Sequence, residues 1–290
     1  MGTYVADTVY LNGSYLPLAE AKISPLDRGF LFGDGVYEVI PVYSRRPFRQ
    51  AEHLQRLDNS LTAIRLANPH ASAGWGAIVE RLIAGAPWPD QAIYLQVTRG
   101  AEEKRDHPFP TDASPTVFAM AMPLVTPSAA VREQGVAALT ATDIRWLRCD
   151  IKSINLLPNV LLRQQAVDAG VAETILIRDG YLKEGTAANI FIVKDGVLLA
   201  PPKGNLMLPG ITYDVVLELA AAHGLPVRIR EISEAKLRGA DEVWMTSSPK
   251  EVLAITRLDG QPVGNGQPGP VGRQMWQWYQ DFKNTVMRND

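Results

Sequence analysis

The 290-residue chain is 46% hydrophobic, and its 29 basic against 31 acidic side chains leave a formal charge of -2. This supplies apolar material for one large or two modest cores, while a charge so near zero excludes the electrostatic footprint of a protein that grips nucleic acid or an anionic membrane; small-molecule ligands are expected. Cys149, the single cysteine, has no internal disulfide partner, and neither a basic leader with an apolar stretch nor a bilayer-length run occurs, so a cytoplasmic protein is expected.

In chain order, Asn12-Gly13 between Tyr10-Leu11 and Ser14-Tyr15-Leu16 has the signature of a two-residue hairpin turn. Residues 36–40 and 93–98 read as strands, and Leu54, Leu57, Leu61 and Ile64 mark one face of a helix between them. A strand over 117–122 gives way to Pro123-Leu124-Val125-Thr126-Pro127-Ser128, which breaks the pattern. The expected organisation is a small N-terminal domain over 1–122, a linker over 123–129 and a larger C-terminal domain over 130–290. In the latter, Asp179-Gly180 and Asp195-Gly196 read as hairpin turns. Helices are expected at about 159–169, 213–223 and 271–286, the first two stopped by Gly170 and Gly224. Strands and helices do not alternate as in a doubly wound sheet, so the fold class is mixed α/β (α+β). No Gly-x-Gly-x-x-Gly follows a strand, and a dinucleotide site is not expected.

Three places invite chemistry. Lys152 lies in Asp150-Ile151-Lys152-Ser153-Ile154-Asn155-Leu156-Leu157-Pro158, where most neighbours are apolar. Such a lysine either lifts its ammonium to water or, desolvated, presents a neutral amine able to form a Schiff base with an aldehyde. Thr212, after Pro209-Gly210-Ile211 and before an amphipathic stretch, reads as a helix N-cap whose backbone N–H groups would suit an anion. Ser248 and Glu251 have capping-box spacing with Pro249 at a first helical position, which predicts a second such helix start. Either could be only a capped helix.

Glu184-Gly185-Thr186-Ala187-Ala188-Asn189-Ile190-Phe191 follows that lysine, and Leu208-Pro209-Gly210-Ile211-Thr212 follows in turn. With these strings, and from Asp27-Arg28-Gly29 through Ser247-Ser248, the chain resembles the fold-type IV aminotransferases, which use pyridoxal 5'-phosphate. The resemblance implies a small α/β domain and a larger pseudo-barrel domain with the active site at their junction. It implies that Lys152 holds the cofactor and moves the substrate proton, and that Glu184 keeps the ring nitrogen protonated. It further implies that Leu208 packs on the ring, and that Ile211, Thr212, Ser247 and Ser248, with Arg56 as the charged member, form the phosphate cup. By their spacing alone Arg56 reads as solvated, off the leucine stripe, Glu184 as a surface acid and Leu208 as core.

Arg105 and His107 flank one residue in a proline-rich loop, so in an extended chain both point the same way and could clamp a carboxylate. Together with Tyr37 they resemble the carboxylate trap of the D-amino acid (D-alanine) aminotransferases, in which the loop reaches in from the partner subunit. The string from Asp143 to Ser153 is similar to the same group, and Leu156 stands where branched-chain L-amino acid aminotransferases usually have a tyrosine. Thr186-Ala187-Ala188 and Pro249 depart from its serine-rich string and hydroxyl residue. The implied activity exchanges amino groups between D-amino acids (D-alanine, D-glutamate) and 2-oxo acids (pyruvate, 2-oxoglutarate) in a homodimer with shared sites; no metal, nucleic acid or membrane partner is implied. Branched-chain L-aminotransferase, R-selective amine transaminase and aminodeoxychorismate lyase activities stay open within the same fold, and a binding protein without turnover or a cofactor-free Schiff-base lyase outside it.

Overall fold

Asn12 and Gly13 both take left-handed backbone, with φ of 47° and 93°, as a tight turn joining two right-twisted strands requires. They link β1 (Thr8–Leu11) to β2 (Ser14–Pro17). The computed structural model describes residues 5–112 and 114–289. The chain forms two units: Met1–Val125 with Ile151–Asn155 and Met287–Asp290, and Thr126–Asp150 with Leu156–Val286.

The first unit continues through α1 (Arg28–Phe32), β3 (Gly35–Tyr43), β4 (Arg46–Pro47), α2 (Gln50–Ala63), α3 (Ser72–Gly85), β5 (Gln91–Thr98) and β6 (Thr116–Pro123). Its sheet runs β2-β1-β6-β5-β3-β4, with every pairing antiparallel. Leu54, Leu57 and Leu61 of α2 are buried with Val36 and Ile40 of β3, as the stripe predicts. Helix α3, which three glycines disguise in the sequence, adds Trp75, Ile78, Val79, Leu82 and Ile83 to the same core. The segment 151–155 runs beside the start of β3: Tyr37 N donates to Lys152 O (2.9 Å), and Ile154 N to Gly35 O (3.0 Å). Ile151 enters the core of this unit, which accounts for the apolar setting of Lys152.

The second unit contains α4 (Ala129–Gln134), β7 (Val136–Thr142), α5 (Leu157–Asp168), β8 (Glu173–Arg178), β9 (Tyr181–Gly185), β10 (Asn189–Lys194) and β11 (Val197–Ala200). After these come α6 (Ile211–Ala222), β12 (Val227–Ile229), α7 (Glu234–Arg238), β13 (Glu242–Ser247), β14 (Glu251–Leu258), β15 (Gln261–Pro262) and α8 (Pro270–Phe282). Eight strands form one path, β12-β11-β10-β13-β14-β7-β8-β9, with β15 attached to β14. Gly185 N donates to Ala188 O (2.7 Å), tying the end of β9 to the start of β10, so the path curls back on itself. Both Asp-Gly pairs form the expected turns; a third, Asp259-Gly260, joins β14 to β15. Gly170 and Gly224 have φ of 68° and 67° just beyond α5 and α6, which identifies them as left-handed stops. Among the described residues no helix is long and apolar enough to cross a membrane.

Two helix starts differ from the sequence reading. Helix α6 begins two residues earlier, at Ile211 with Gly210 in the cap position, so Thr212 lies buried within the first turn. A β-carbon on Gly210 would sit 2.0 Å from Asn189 Oδ1, so only glycine fits there. No helix starts at Pro249: residues 247–250 are the tip of the β13–β14 hairpin, with Ser247 opposite Glu251. Buried strands on both sides override a capping pattern that is purely local.

Candidate active site

In the first unit, alternation along β3 sends Glu38 under α2 and Tyr37 to the other face. Glu38 is fully buried. It accepts from Arg56 Nε (2.9 Å) and Nη2 (2.7 Å), from His53 Nδ1 (3.0 Å) and from the Val39 amide (2.8 Å). Burial pushes this carboxyl up, but the Arg56 guanidinium and His53 overcome it and hold the group well below the usual carboxylate range. Burial likewise lowers the His53 pKa and favours the neutral ring, whose Nδ1–H, assigned from its hydrogen bond, donates to Glu38. Its Nε2 is buried without a partner among the described residues. Arg56 is thus not a solvated arginine: its side chain is 11% exposed and ion-paired. The sequence reading missed Glu38 and His53; the available signal was an acid at an inward strand position facing His53 and Arg56, three apart on one helix.

Lys152 is half-buried, and its backbone N donates to Ser60 Oγ of α2 (3.1 Å). Its amine lies 4.2 Å from the centre of the Tyr37 ring, so the structure brings these two candidate residues together. Arg105 and His107 are exposed on the loop between β5 and β6. Both sit against Phe32, the Arg105 guanidinium 5.1 Å from its ring centre and the His107 ring 5.4 Å.

In the second unit, Glu184 is 4% exposed. It takes a short hydrogen bond from Arg145, one from Asn189 Nδ2 (3.3 Å) and one from the Leu208 amide (3.2 Å). Burial pushes its carboxyl up to about 7 against the opposing pull of Arg145. Asp143 grips Arg145 at 2.9 Å through both Nε and Nη2 and is itself paired with Arg178, giving a buried chain of alternating charge that ends on Glu184. Glu184 is no surface acid. Arg145, Asp143 and Asn189 were not singled out from the sequence, although all three stand in quoted strings. A desolvated carboxyl with near-neutral proton affinity, fixed by three donors, suits a partner that presents an N–H to it, as a protonated pyridine does.

Leu208 and Ile211 are half-buried and Thr212 is buried, all around the start of α6; Ser247 and Ser248 are half-buried at the hairpin tip. Glu173, with no exposure, accepts from Lys250 Nζ of that tip (2.7 Å) and from the Thr186 amide (3.1 Å). It also takes a short bond from the Thr186 hydroxyl. The hydroxyl of the Thr186-Ala187-Ala188 departure is therefore engaged inside the protein. Among the described residues, no cluster of metal-binding side chains occurs.

A sequence model of the family described as "Amino-transferase class IV" matches residues 35–258. The D-alanine aminotransferase of Bacillus licheniformis is 40% identical over 267 residues, covering 92% of this chain and 94% of the relative. A solved branched-chain amino acid aminotransferase of Escherichia coli superposes with a TM-score of 0.88 at 30% identity, over 94% of this chain and 93% of its own. A solved hypothetical aminotransferase of Mycobacterium tuberculosis, in a PLP-bound form, gives 0.80 at 25%, over 94% and 97%.

Proposed function

Because the chain belongs to the class IV amino-transferases, we propose that it is the D-amino acid member of that family, exchanging amino groups between D-amino acids such as D-alanine and D-glutamate and 2-oxo acids such as pyruvate and 2-oxoglutarate. It is a pyridoxal-phosphate-dependent aminotransferase, and its substrates are amino and 2-oxo acids. The observation that supports the D-amino acid reading is the seating of Arg105 and His107 against one ring, which holds near each other two side chains able to bind a carboxylate. The higher identity to an enzyme named for D-alanine than to one named for branched-chain substrates supports the same choice.

When bound, the cofactor supplies an aldehyde for the amine and a ring that accepts the electron pair of the substrate α-carbon. Lys152 would hold the cofactor through its amine and would act as the base that moves the proton at the substrate α-carbon. Glu184 would keep the ring nitrogen protonated, and Leu208 would pack on the ring. Ile211, Thr212, Ser247 and Ser248 would hold the phosphate, and Arg56, fixed by Glu38, would be the charged member of the cup. Tyr37, Arg105 and His107 hold the carboxylate, so that the α-hydrogen of one enantiomer alone faces the Lys152 amine. A panel of D- and L-amino acids with 2-oxoglutarate tests this: D-alanine and D-glutamate should turn over fastest, and faster reaction of L-leucine or L-valine would sink the assignment.

The working unit is a homodimer. Each unit exposes large apolar side chains that a second copy would cover, among them Phe30 (76% exposed) with Leu18, Ile23 and Leu26, and separately Leu157 (65%) with Val160 and Leu161. If the Arg105 loop serves the partner's site, mixing inactive Lys152→Ala protein with Arg105→Ala protein, which saturates only at high D-alanine, should restore activity at low D-alanine. A mixture that exchanges subunits yet gains no activity at low D-alanine would contradict the sharing.

A further inference from the structure

We infer that Arg28 and Phe32 are positioning residues that set substrate specificity by fixing the loop of Arg105 and His107. The inference rests on the reading that these two side chains bind the substrate carboxylate. Neither Arg28 nor Phe32 needs to touch the substrate.

Arg28 opens α1 with a side chain only 4% exposed. Its Nη1 donates to Asp106 O (2.6 Å), Pro108 O (3.2 Å) and Glu102 Oε2 (3.3 Å), and its Nη2 to His107 O (3.0 Å). Its Nε donates to Asp34 Oδ2 (2.9 Å), and its backbone N to Gly100 O (2.9 Å). One planar fork thus grips three successive carbonyls at the middle of the loop, while the same residue's main chain holds its near end.

The carbonyls of residues 106 and 107 belong to the two peptide planes on either side of the His107 α-carbon. Fixing both fixes the direction of the His107 side chain. The chain bends at residues 107 and 108, and Asp106 N donates to Lys104 O (3.0 Å), so the loop is curled around the Arg28 guanidinium rather than extended. Burial pushes the Asp34 carboxyl up, but Arg99 and Arg28 together hold it below its ordinary value, so the anchor is itself anchored.

Phe32 sits one helical turn after Arg28 and gathers three groups on its ring: Arg28 at 4.9 Å, Arg105 at 5.1 Å and His107 at 5.4 Å. Cation–π attraction orients Arg105 without consuming its N–H donors, which stay available for an anion. Its base is rigid: Gly33 ends α1 in left-handed backbone, φ 69°, where a β-carbon would lie 3.3 Å from Asn155 Cβ.

Arg28→Lys keeps the charge, but an ammonium cannot span three carbonyls and Asp34; Phe32→Leu keeps apolar bulk but removes the π face. Each variant should raise the D-alanine concentration that half-saturates the half-reaction by about tenfold or more, while the saturating rate changes little. Inhibition by propionate, an unreactive carboxylate, should weaken in parallel. In Arg28→Lys the amides of residues 101–109 should exchange with deuterium faster, a change Arg105→Ala should not produce. Combining Arg28→Lys with Arg105→Ala should be no worse for D-alanine than Arg105→Ala alone. If Arg105→Ala leaves half-saturation unchanged, the underlying reading fails. If Arg105→Ala raises it while Arg28→Lys and Phe32→Leu do not, or if the double variant loses the product of both effects, the positioning role is wrong. Should Arg28→Lys fail to fold, Phe32→Leu decides alone.

Discussion

Lys152→Ala is expected to abolish turnover while leaving weak noncovalent cofactor binding. On the proposed reading the amine has two tasks, attachment of the aldehyde and transfer of the α-proton, and a positioned base alone is worth about a hundred- to ten-thousand-fold. The change should be local, because Lys152 N donates to Ser60 Oγ and Lys152 O accepts from Tyr37 N, contacts that a methyl side chain preserves. The wild-type protein should be yellow with its cofactor, and borohydride should fix the cofactor to the peptide containing Lys152. Recovery of the label on a peptide without Lys152 would show the assignment to be wrong.

Glu184→Gln should slow the half-reaction with D-alanine by roughly a hundredfold or more, the scale found when a charged stabiliser of a developing carbanion is removed. The substituted side chain would keep the shape and could still accept from the Leu208 amide, but a neutral amide does not hold a proton on a pyridine nitrogen. Arg145 would retain Asp143 as a partner, so the loss of stability should be smaller than the loss of rate. Single-turnover rates measured beside thermal melting separate the two, and a rate equal to wild type would exclude the role.

Lys152 and Glu184 could be picked out as candidates because each sits in a short, distinctive string. The supports of both could not be. Lys152 N meets Ser60 across 92 residues and Glu184 meets Arg145 across 39, separations at which no periodic pattern carries information. Arg28 reaches its three carbonyls 78 to 80 residues away, and a lone arginine in Asp27-Arg28-Gly29 gives no hint of them. The turn pairs at residues 12, 179 and 195 were readable because left-handed backbone is a local demand. The helix start assigned at Ser248 failed for the opposite reason: its signal was local, and the hairpin pairing that overrode it was not.

The return of residues 151–155 to the first unit bears on how the protein is made. Residues up to Val125 leave the ribosome ahead of Ile151, which enters their core, and of the strip of backbone that flanks β3; these come 26 or more residues later, with the first stretch of the second unit in between. The first unit is therefore incomplete as a co-translational folding intermediate, and its β3 margin stays open until the segment carrying Lys152 is itself delivered. Arg288, bound to Asp90 at 2.5 and 2.8 Å, joins the same unit only after the second has been synthesised. A gene cut at the first boundary would yield a fragment lacking both its last structural strip and its chemistry, so that boundary does not delimit a free-standing module.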